Sequence, residues 1–542
     1  MRKNALVLIL LFASLLGRAG ERIYIVTDRN AYIAGDLVYC SLFAVDDNGR
    51  ISDFSAVSYL ELISAEGTAT EAKIGLFAGR GAGSFRIPAN IPTGNYRLVA
   101  YTARSQASAE GARTLAVFNT GTVARVKDGV TIKEDWKPFT RPDLSAGGLT
   151  LSLPARLRQG RQSTLVLGGL DLNASLSVSV YHDDGLAPAD GKSLETFLQG
   201  KAAQPGNRPG EYEGEVILAT VEGLEQNADV EHQVTAILST AGAPSNVYLG
   251  RTTNQGHILF YTGNIYGDRE LVCEVMSIDG KARHINLSSP FTHPSPGEIE
   301  PLVLSREQRE WLVSRKASLL ADADPETDTL QRFLPKREDL LLDGASKRRY
   351  HLDDYTRFST VREICVEFVT ELQYVKRDGR WRIRMQMLDG TEQRHFMQDN
   401  ILVMMDGVVL SDHGLLEDFD AMLLEDIDIY SQPVVLGGVP YNGVVNFISK
   451  KNYVTALKFP ENVRVVDFRG VSYPIAYPGG VPQGAQDRRQ LLYWHPALEL
   501  EAGTEVRIPL TMPAYAGRFR AVVEGWKADG TPVRAEYSFE VE

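Results

Sequence analysis

Some residues in this sequence have types and spacing that could do chemistry. His182-Asp183-Asp184 and His351-Leu352-Asp353-Asp354 each set an imidazole beside carboxylates, donors that a divalent metal accepts. Each group stands at the end of an element and lacks a third or fourth partner at suggestive spacing, so both read as solvated turns or helix caps. Gly79-Arg80-Gly81-Ala82-Gly83 has the glycine density of a phosphate loop. It precedes a strand and not a helix N-terminus, so no array of free N–H groups faces an anion, and it reads as a hairpin turn. Cys40, Cys273 and Cys365 are odd in number and far apart, with no CxxC, which fits buried free thiols. No HExxH, GxSxG or P-loop pattern occurs. The sequence therefore implies no cofactor and no metal site, and the chain reads as not an enzyme.

The elements around these residues are mostly extended. The chain has 542 residues, with 57 Lys plus Arg against 69 Asp plus Glu, a net charge of −12. An acidic chain is a poor match to nucleic acid, whose binders neutralise phosphates with excess basic charge. It is an equally poor match to a polybasic membrane-surface protein. Arg2 and Lys3, the apolar run Ala5 to Leu16 and the small residues Gly17, Ala19 and Gly20 form a secretory signal over residues 1–20. No Cys follows to take a lipid. No later stretch approaches 18 apolar residues, so the expectation is an exported protein with no transmembrane segment after signal cleavage.

The fold class expected is mostly β: tandem β-sandwich domains plus one α/β domain. Residues 21–125 read as a sandwich, with Asp46-Asp47-Asn48-Gly49 as turn chemistry. The segments YIVTDRNAYIAGDLVYCSLFAVD and GAGSFRIPANIPTGNYRLVAYT resemble the N-terminal macroglobulin-like domain of bacterial surface and periplasmic proteins. The Cys-Gly-Glu-Gln thioester of protease-trapping members is absent, so trapping is not implied. Residues 145–212 read as a second sandwich with a polar insertion. There Leu176, Val178 and Val180 share one face of a strand. Residues 213–295 resemble a carboxypeptidase-regulatory-like sandwich. Residues 296–350 read as a helical linker, amphipathic over Arg306–Leu320. Residues 455–542 look like a C-terminal immunoglobulin-like sandwich with a hairpin around Ala528-Asp529-Gly530.

Residues 351–452 carry the most specific signal. A helix is expected from Ser359–Thr360, then strands split at Arg377-Asp378-Gly379, then Ile401–Met405 closed by Asp406-Gly407. Asp426–Tyr430, a break at Gly437-Gly438 and the strand Gly443–Ser449 follow. This order resembles the plug domain of TonB-dependent outer-membrane receptors, departing from it at Ser431-Gln432-Pro433. Such a receptor needs roughly 22 membrane strands after its plug, and the residues after Lys451 are too few for them.

The domain string resembles a group of barrel-less Bacteroidota proteins. The resemblance implies a periplasmic or outer-membrane-associated interaction protein whose plug-like domain docks on an outer-membrane barrel, transporter or secretion channel. A sharper version resembles the plug subunit of the type IX secretion translocon, which occludes its channel. Candidate partner contacts are the loops holding Asp406, Gly407 and Asp412, and Ser431, Gln432, Pro433, Gly437, Gly438 and Tyr441. Thr329, in Asp328-Thr329-Leu330, resembles the O-glycosylation site of Bacteroidota envelope proteins. The alternative is a carbohydrate- or peptide-binding module of the envelope, for which Trp494 and Trp526 would form an exposed aromatic platform, although core packing is the favoured reading of both.

Overall fold

The computed structural model describes residues 20–105, 111–134, 139–140, 142–186, 194–200, 208–222, 235–242, 245–253, 257–276, 283–305, 331–332, 347–388, 394–397, 400–436, 439–477 and 487–542. Residues 1–19 of the expected signal, the expected amphipathic helix Arg306–Leu320 and Thr329 lie outside them. The fold is mostly β, as expected. No helix among the described residues is long and apolar enough to cross a membrane.

In the first sandwich, strands run in the order Glu21–Thr27, Leu37–Asp46, Arg80–Arg86, Gly67–Phe77, Val57–Ser64, Gly94–Tyr101, Arg113–Phe118 and Ala31–Ile33. The sheet folds over so that Ile25, Val38 and Leu42 from one half meet Leu60, Tyr96 and Leu98 from the other. The expected glycine-rich turn is narrower than Gly79–Gly83. Only Ala78 and Gly79 turn, with φ of 47° and 73°, and Gly81 and Gly83 lie within a strand.

The two sandwiches expected at 145–212 and 455–542 are a single one. Ala174–His182 lies between Gly517–Lys527 and Leu491–Leu500, hydrogen-bonded to both. Leu144–Ala146 and Arg156–Leu157 pair with the last strand, Pro532–Val541. On the facing sheet, Gln162–Gly168 pairs with Val506–Thr511. Leu165, Leu176 and Val180 share one core with Leu510, Phe519 and Phe539. The physical reason is that the early strands cannot bury their apolar face alone. Ala174–His182 is covered on both faces, and its two open edges need neighbours that only the end of the chain supplies.

Between these halves sits the next unit, ordered Ile285–Leu287, Val216–Val221, His257–Tyr261, Val247–Thr252, Thr235–Thr240, Asp268–Met276 and Val463–Arg469. Its last strand comes from the region assigned to the C-terminal domain, so this second sandwich is also interrupted. The residues expected to link helically contribute strands where they are described. Leu302–Leu304 pairs in parallel with Val130–Ile132, and Gln331–Arg332 pairs with Ile475–Ala476.

Inside that interruption lies a mixed sheet, ordered Lys347–His351, Leu424–Tyr430, Gly443–Ser449, Ile401–Met405 and Val408–Val409. Only Ile401–Met405 and Gly443–Ser449 run parallel. The helix Val361–Glu367 starts where the sequence places it. Thr360 accepts from the Glu363 N–H while Glu363 accepts from the Thr360 N–H, a capping box. The hairpin Leu372–Arg377 to Arg380–Leu388 turns through Asp378 and Gly379 at φ of 47° and 77°, both in the left-handed region that a two-residue hairpin turn requires.

The units are locked by buried contacts. Trp526 packs edge-on to Tyr24 at 5.4 Å and against Phe43 at 4.7 Å, in the seam between the first and split sandwiches. Trp494 lies 5.2 Å from Tyr39 in the same seam. Both indoles are essentially buried, 0% and 1% exposed, so neither forms the aromatic platform that the carbohydrate reading requires. Lys73 bonds Glu215 at 2.7 Å between the first and second sandwiches, and Tyr59 donates to Glu211 beside it at 2.6 Å. Cys40, Cys273 and Cys365 are buried free thiols, as expected. Burial pushes the thiols of Cys273 and Cys365 up to about 12, which leaves them unreactive.

Replacing Trp526 by Ala opens a cavity in the seam. The expected loss is about 3–5 kcal/mol in guanidinium unfolding, typical of a buried Trp→Ala change. Unchanged stability would show that the seam is not a packed interface.

Candidate partner-docking surface

The site that the sequence singles out begins at Asp406. Asp406 and Gly407 form a two-residue turn between Ile401–Met405 and Val408–Val409, with φ of 48° and 80°. The Asp406 carboxylate is engaged on both oxygens. One accepts from the Ser449 N–H at 2.6 Å; the other accepts from the Ser449 hydroxyl at 2.6 Å and the Val454 N–H at 3.1 Å. Asp406 thus ties the turn to the end of the neighbouring parallel strand. Its function is structural.

The turn faces inward. The Asp406 carbonyl accepts from the Gly242 N–H at 2.9 Å, and the Ser239 hydroxyl accepts from the Val409 N–H at 3.3 Å. A Cβ at position 407 would lie 2.0 Å from Ser245 Cβ. The second sandwich therefore covers the loop that was expected to meet a partner. Ile237 of that sandwich joins Leu402, Met404, Val409, Tyr430 and Val444 in one apolar cluster. Asp406 and Gly407 are consequently removed from the candidate contacts. Asp412 remains at the surface, where it caps the short turn His413–Leu416 through the Gly414 N–H.

The second candidate loop does face solvent. Ser431, Gln432 and Pro433 are exposed and lead into a hairpin, Val434–Leu436 paired with Val439–Tyr441. Val434 and Leu436 point into the apolar cluster, Tyr441 packs at its edge, and Val435 between them is 67% exposed. Gly437 and Gly438 lie outside the described residues. The hairpin is thus held by one face while its other face presents an aliphatic side chain to solvent.

A second exposed apolar group on the mixed-sheet unit was not singled out from sequence. Tyr355 stacks on Phe368 with ring centroids 4.3 Å apart and planes 2° from parallel. Val366 beside it is 67% exposed. An aromatic at 355 and another at 368 lie on either side of the capped helix, and only the fold brings them together.

The two histidine groups behave as turns and pairs. His182 Nδ1 lies 3.2 Å from Asp184, and His351 Nδ1 lies 2.7 Å from Asp426. Among the described residues, one set of groups brings three possible metal-ligand atoms together: Glu61, Glu71 and His293. Sequence spacing gives no hint of it, because His293 is far from both glutamates along the chain.

No protein-family model matches the chain, and no curated protein matches it. Among solved structures, it is similar to Salmonella alpha-2-macroglobulin reacted with methylamine. The identity is 10%, the TM-score 0.25, and the match covers 96% of this chain and 39% of that one. The native conformation of E. coli alpha-2-macroglobulin gives 10% identity and a TM-score of 0.25, over 96% of this chain and 40% of that one. Dimeric latent PorU from Porphyromonas gingivalis gives 11% identity and a TM-score of 0.17, over 53% and 34%. The chain thus spans about two fifths of the length of the alpha-2-macroglobulins it matches.

Two buried groups give the chain opposing pH responses. His413 accepts from the Ile383 N–H at 2.9 Å, and burial with the nearby Arg382 charge lowers it to about 4. Burial pushes the Glu211 carboxyl up to about 7. Between about pH 4 and 6.5 the unfolded chain protonates His413 where the folded chain does not, so that group makes stability rise with pH. Between about pH 4.5 and 7 the folded chain holds a proton on Glu211 that the unfolded chain releases, so that group makes stability fall with pH. The two slopes oppose each other. The difference between the urea midpoints at pH 7 and pH 4.5 should therefore change in opposite senses relative to the wild type, falling in His413→Gln and rising in Glu211→Gln. A shift of the same sign in both would refute the assignment.

Proposed function

We propose that this chain is a non-enzymatic interaction protein of the bacterial cell envelope. Its mixed-sheet unit docks on an outer-membrane barrel, a transporter or secretion channel, through the Ser431–Tyr441 hairpin. One observation carries this reading. The Asp406–Gly407 turn fixes the sheet on the second sandwich, while the hairpin on that sheet leaves Ser431, Gln432, Pro433 and Val435 in solvent. A contact loop on a rigid support is the usual arrangement for binding. The order of elements in residues 351–452, which resembles a receptor plug, supports the choice of a barrel as partner. Occlusion of a secretion channel is the narrower form of the same reading. The sandwiches then act as a frame that sets the position and angle of the mixed-sheet unit.

A photo-crosslinking residue at Val435, in cells of the native host, should yield an adduct with an outer-membrane barrel. The same residue at the exposed Glu505 of the split sandwich should not. Adducts of equal yield at both positions, or none at Val435, would reject the hairpin as the contact.

A further inference from the structure

The first sandwich carries an arrangement that a sheet normally avoids. Glu61 and Glu71 stand directly opposite each other on the paired strands Val57–Ser64 and Gly67–Phe77. Like charges at opposed positions destabilise a strand pair, and here Glu61 is fully buried. Its carboxylate is nevertheless held in a fixed orientation. One oxygen accepts from the Tyr101 hydroxyl and from the N–H groups of Thr292 and His293, both at 3.1 Å; the other accepts from the Thr68 hydroxyl at 3.0 Å.

His293 completes the group from a distant part of the chain. Residues 288–301 leave the second sandwich and cross the first as a strap with no helix or strand of its own. Phe291 meets Tyr59 edge-on at 5.8 Å, and Asn95 donates to the Glu300 carbonyl at 2.9 Å. At His293 the backbone takes a φ of 44°, and Nδ1 lies 3.3 Å from one Glu61 oxygen and 3.5 Å from one Glu71 oxygen. Arg469 donates to the Glu71 carbonyl at 2.9 Å, and its guanidinium lies 3.9 Å from the Glu71 carboxylate.

We infer that Glu61, Glu71 and His293 form a site for a divalent transition-metal ion of the Zn²⁺ class, which clips the strap onto the first sandwich. The separations favour a shared ion over direct bonding. They exceed the usual N–H···O range of about 2.7–3.2 Å. The 3.3 Å separation matches the edge of a tetrahedron with bonds of about 2.0–2.1 Å, about 3.3–3.4 Å, and the 3.5 Å separation lies just beyond it. The ligand types fit as well: one imidazole and two carboxylates suit a borderline ion, and an outer layer of hydrogen bonds already orients the buried carboxylate. A divalent ion offsets the charge of the two carboxylates and so removes the repulsion between the opposed glutamates, while the imidazole stays neutral and the Arg469 guanidinium stands 3.9 Å from Glu71. The His293 side chain is 56% exposed, so the fourth position opens to water. The competing arrangement is a protonated His293 bridging the two carboxylates with no metal.

The chain, stripped with EDTA and cleared of any tag, is titrated with Zn²⁺ against a chromophoric chelator and separately with Co²⁺. One equivalent of Zn²⁺ should bind, and bound Co²⁺ should show the intense visible bands of a tetrahedral site. His293→Ala and Glu71→Gln, both at partly exposed positions, should each weaken Zn²⁺ at least about tenfold. Amide hydrogen exchange across residues 289–300 should slow on Zn²⁺ addition in the wild type alone. Absence of saturable Zn²⁺ binding, octahedral Co²⁺ bands only, or binding unchanged in both variants would each overturn the site and leave the protonated-histidine bridge.

Discussion

Everything in this chain hangs on the placement of one strand. Ala174–His182 is the central strand of the split sandwich, and both its neighbours arrive from the far end of the sequence. Between them the chain builds the second sandwich, and within that the mixed-sheet unit. The units are nested: the mixed sheet interrupts the second sandwich, and the second sandwich interrupts the split one. Loop-closure entropy grows only with the logarithm of the loop length, so holding so long an insertion costs little more than holding a short one. The cost is recovered in the core that Leu176, Val180, Phe519 and Phe539 share. The innermost unit can close on strands near in sequence, while the outermost must wait for the final strands. Loop closure is thus shortest for the innermost unit and longest for the outermost.

The seams follow the same economy. Ala174–His182 alternates serine with apolar residues, and its serines are buried, not solvated. Leu176, Val178 and Val180 fill the sandwich core, while Ser175, Ser177 and Ser179 form a low, flat face against the first sandwich. The Ser177 and Ser41 hydroxyls bond across that seam at 2.8 Å. Small side chains let the two sheets approach, and Trp526 and Trp494 fill the space at the margins of the contact. A polar cluster at another seam, Lys73 with Glu215 and Tyr59 with Glu211, sets the angle of the second sandwich against the first. Such buried pairs add little net stability, but they penalise any other docking angle, which would leave a charge unpaired.

Local chemistry was readable from the sequence, and long-range partnership was not. The helix after Thr360, the turn at Asp378-Gly379 and the turn at Asp406-Gly407 follow from cap residues and left-handed backbone, which act over a few residues. That Ser245 sits against Gly407 depends on the second sandwich folding back, and no residue near 407 encodes it. The alternation in Ala174–His182 marked its core face, but it does not tell which strands will flank it, so two half-sandwiches passed for two domains. Of the second candidate loop, Ser431, Gln432 and Pro433 are exposed, while Val434 and Leu436 beside them are buried in the apolar cluster. Glu61, Glu71 and His293 were invisible as a set, since cross-strand register and a crossing strap bring them together.

The nesting also decides how tension travels. Suppose a pull acts between the first sandwich and the last strand, Pro532–Val541. Along the chain the load reaches that strand first through Leu144–Ala146 and Arg156–Leu157, which both pair with it, and the ladders from Ala174–His182 to Gly517–Lys527 and on to the last strand lie behind them. The second sandwich and the mixed sheet lie in the chain between Ala174–His182 and Leu491–Leu500, so the ladder between those two strands bridges the covalent path through them.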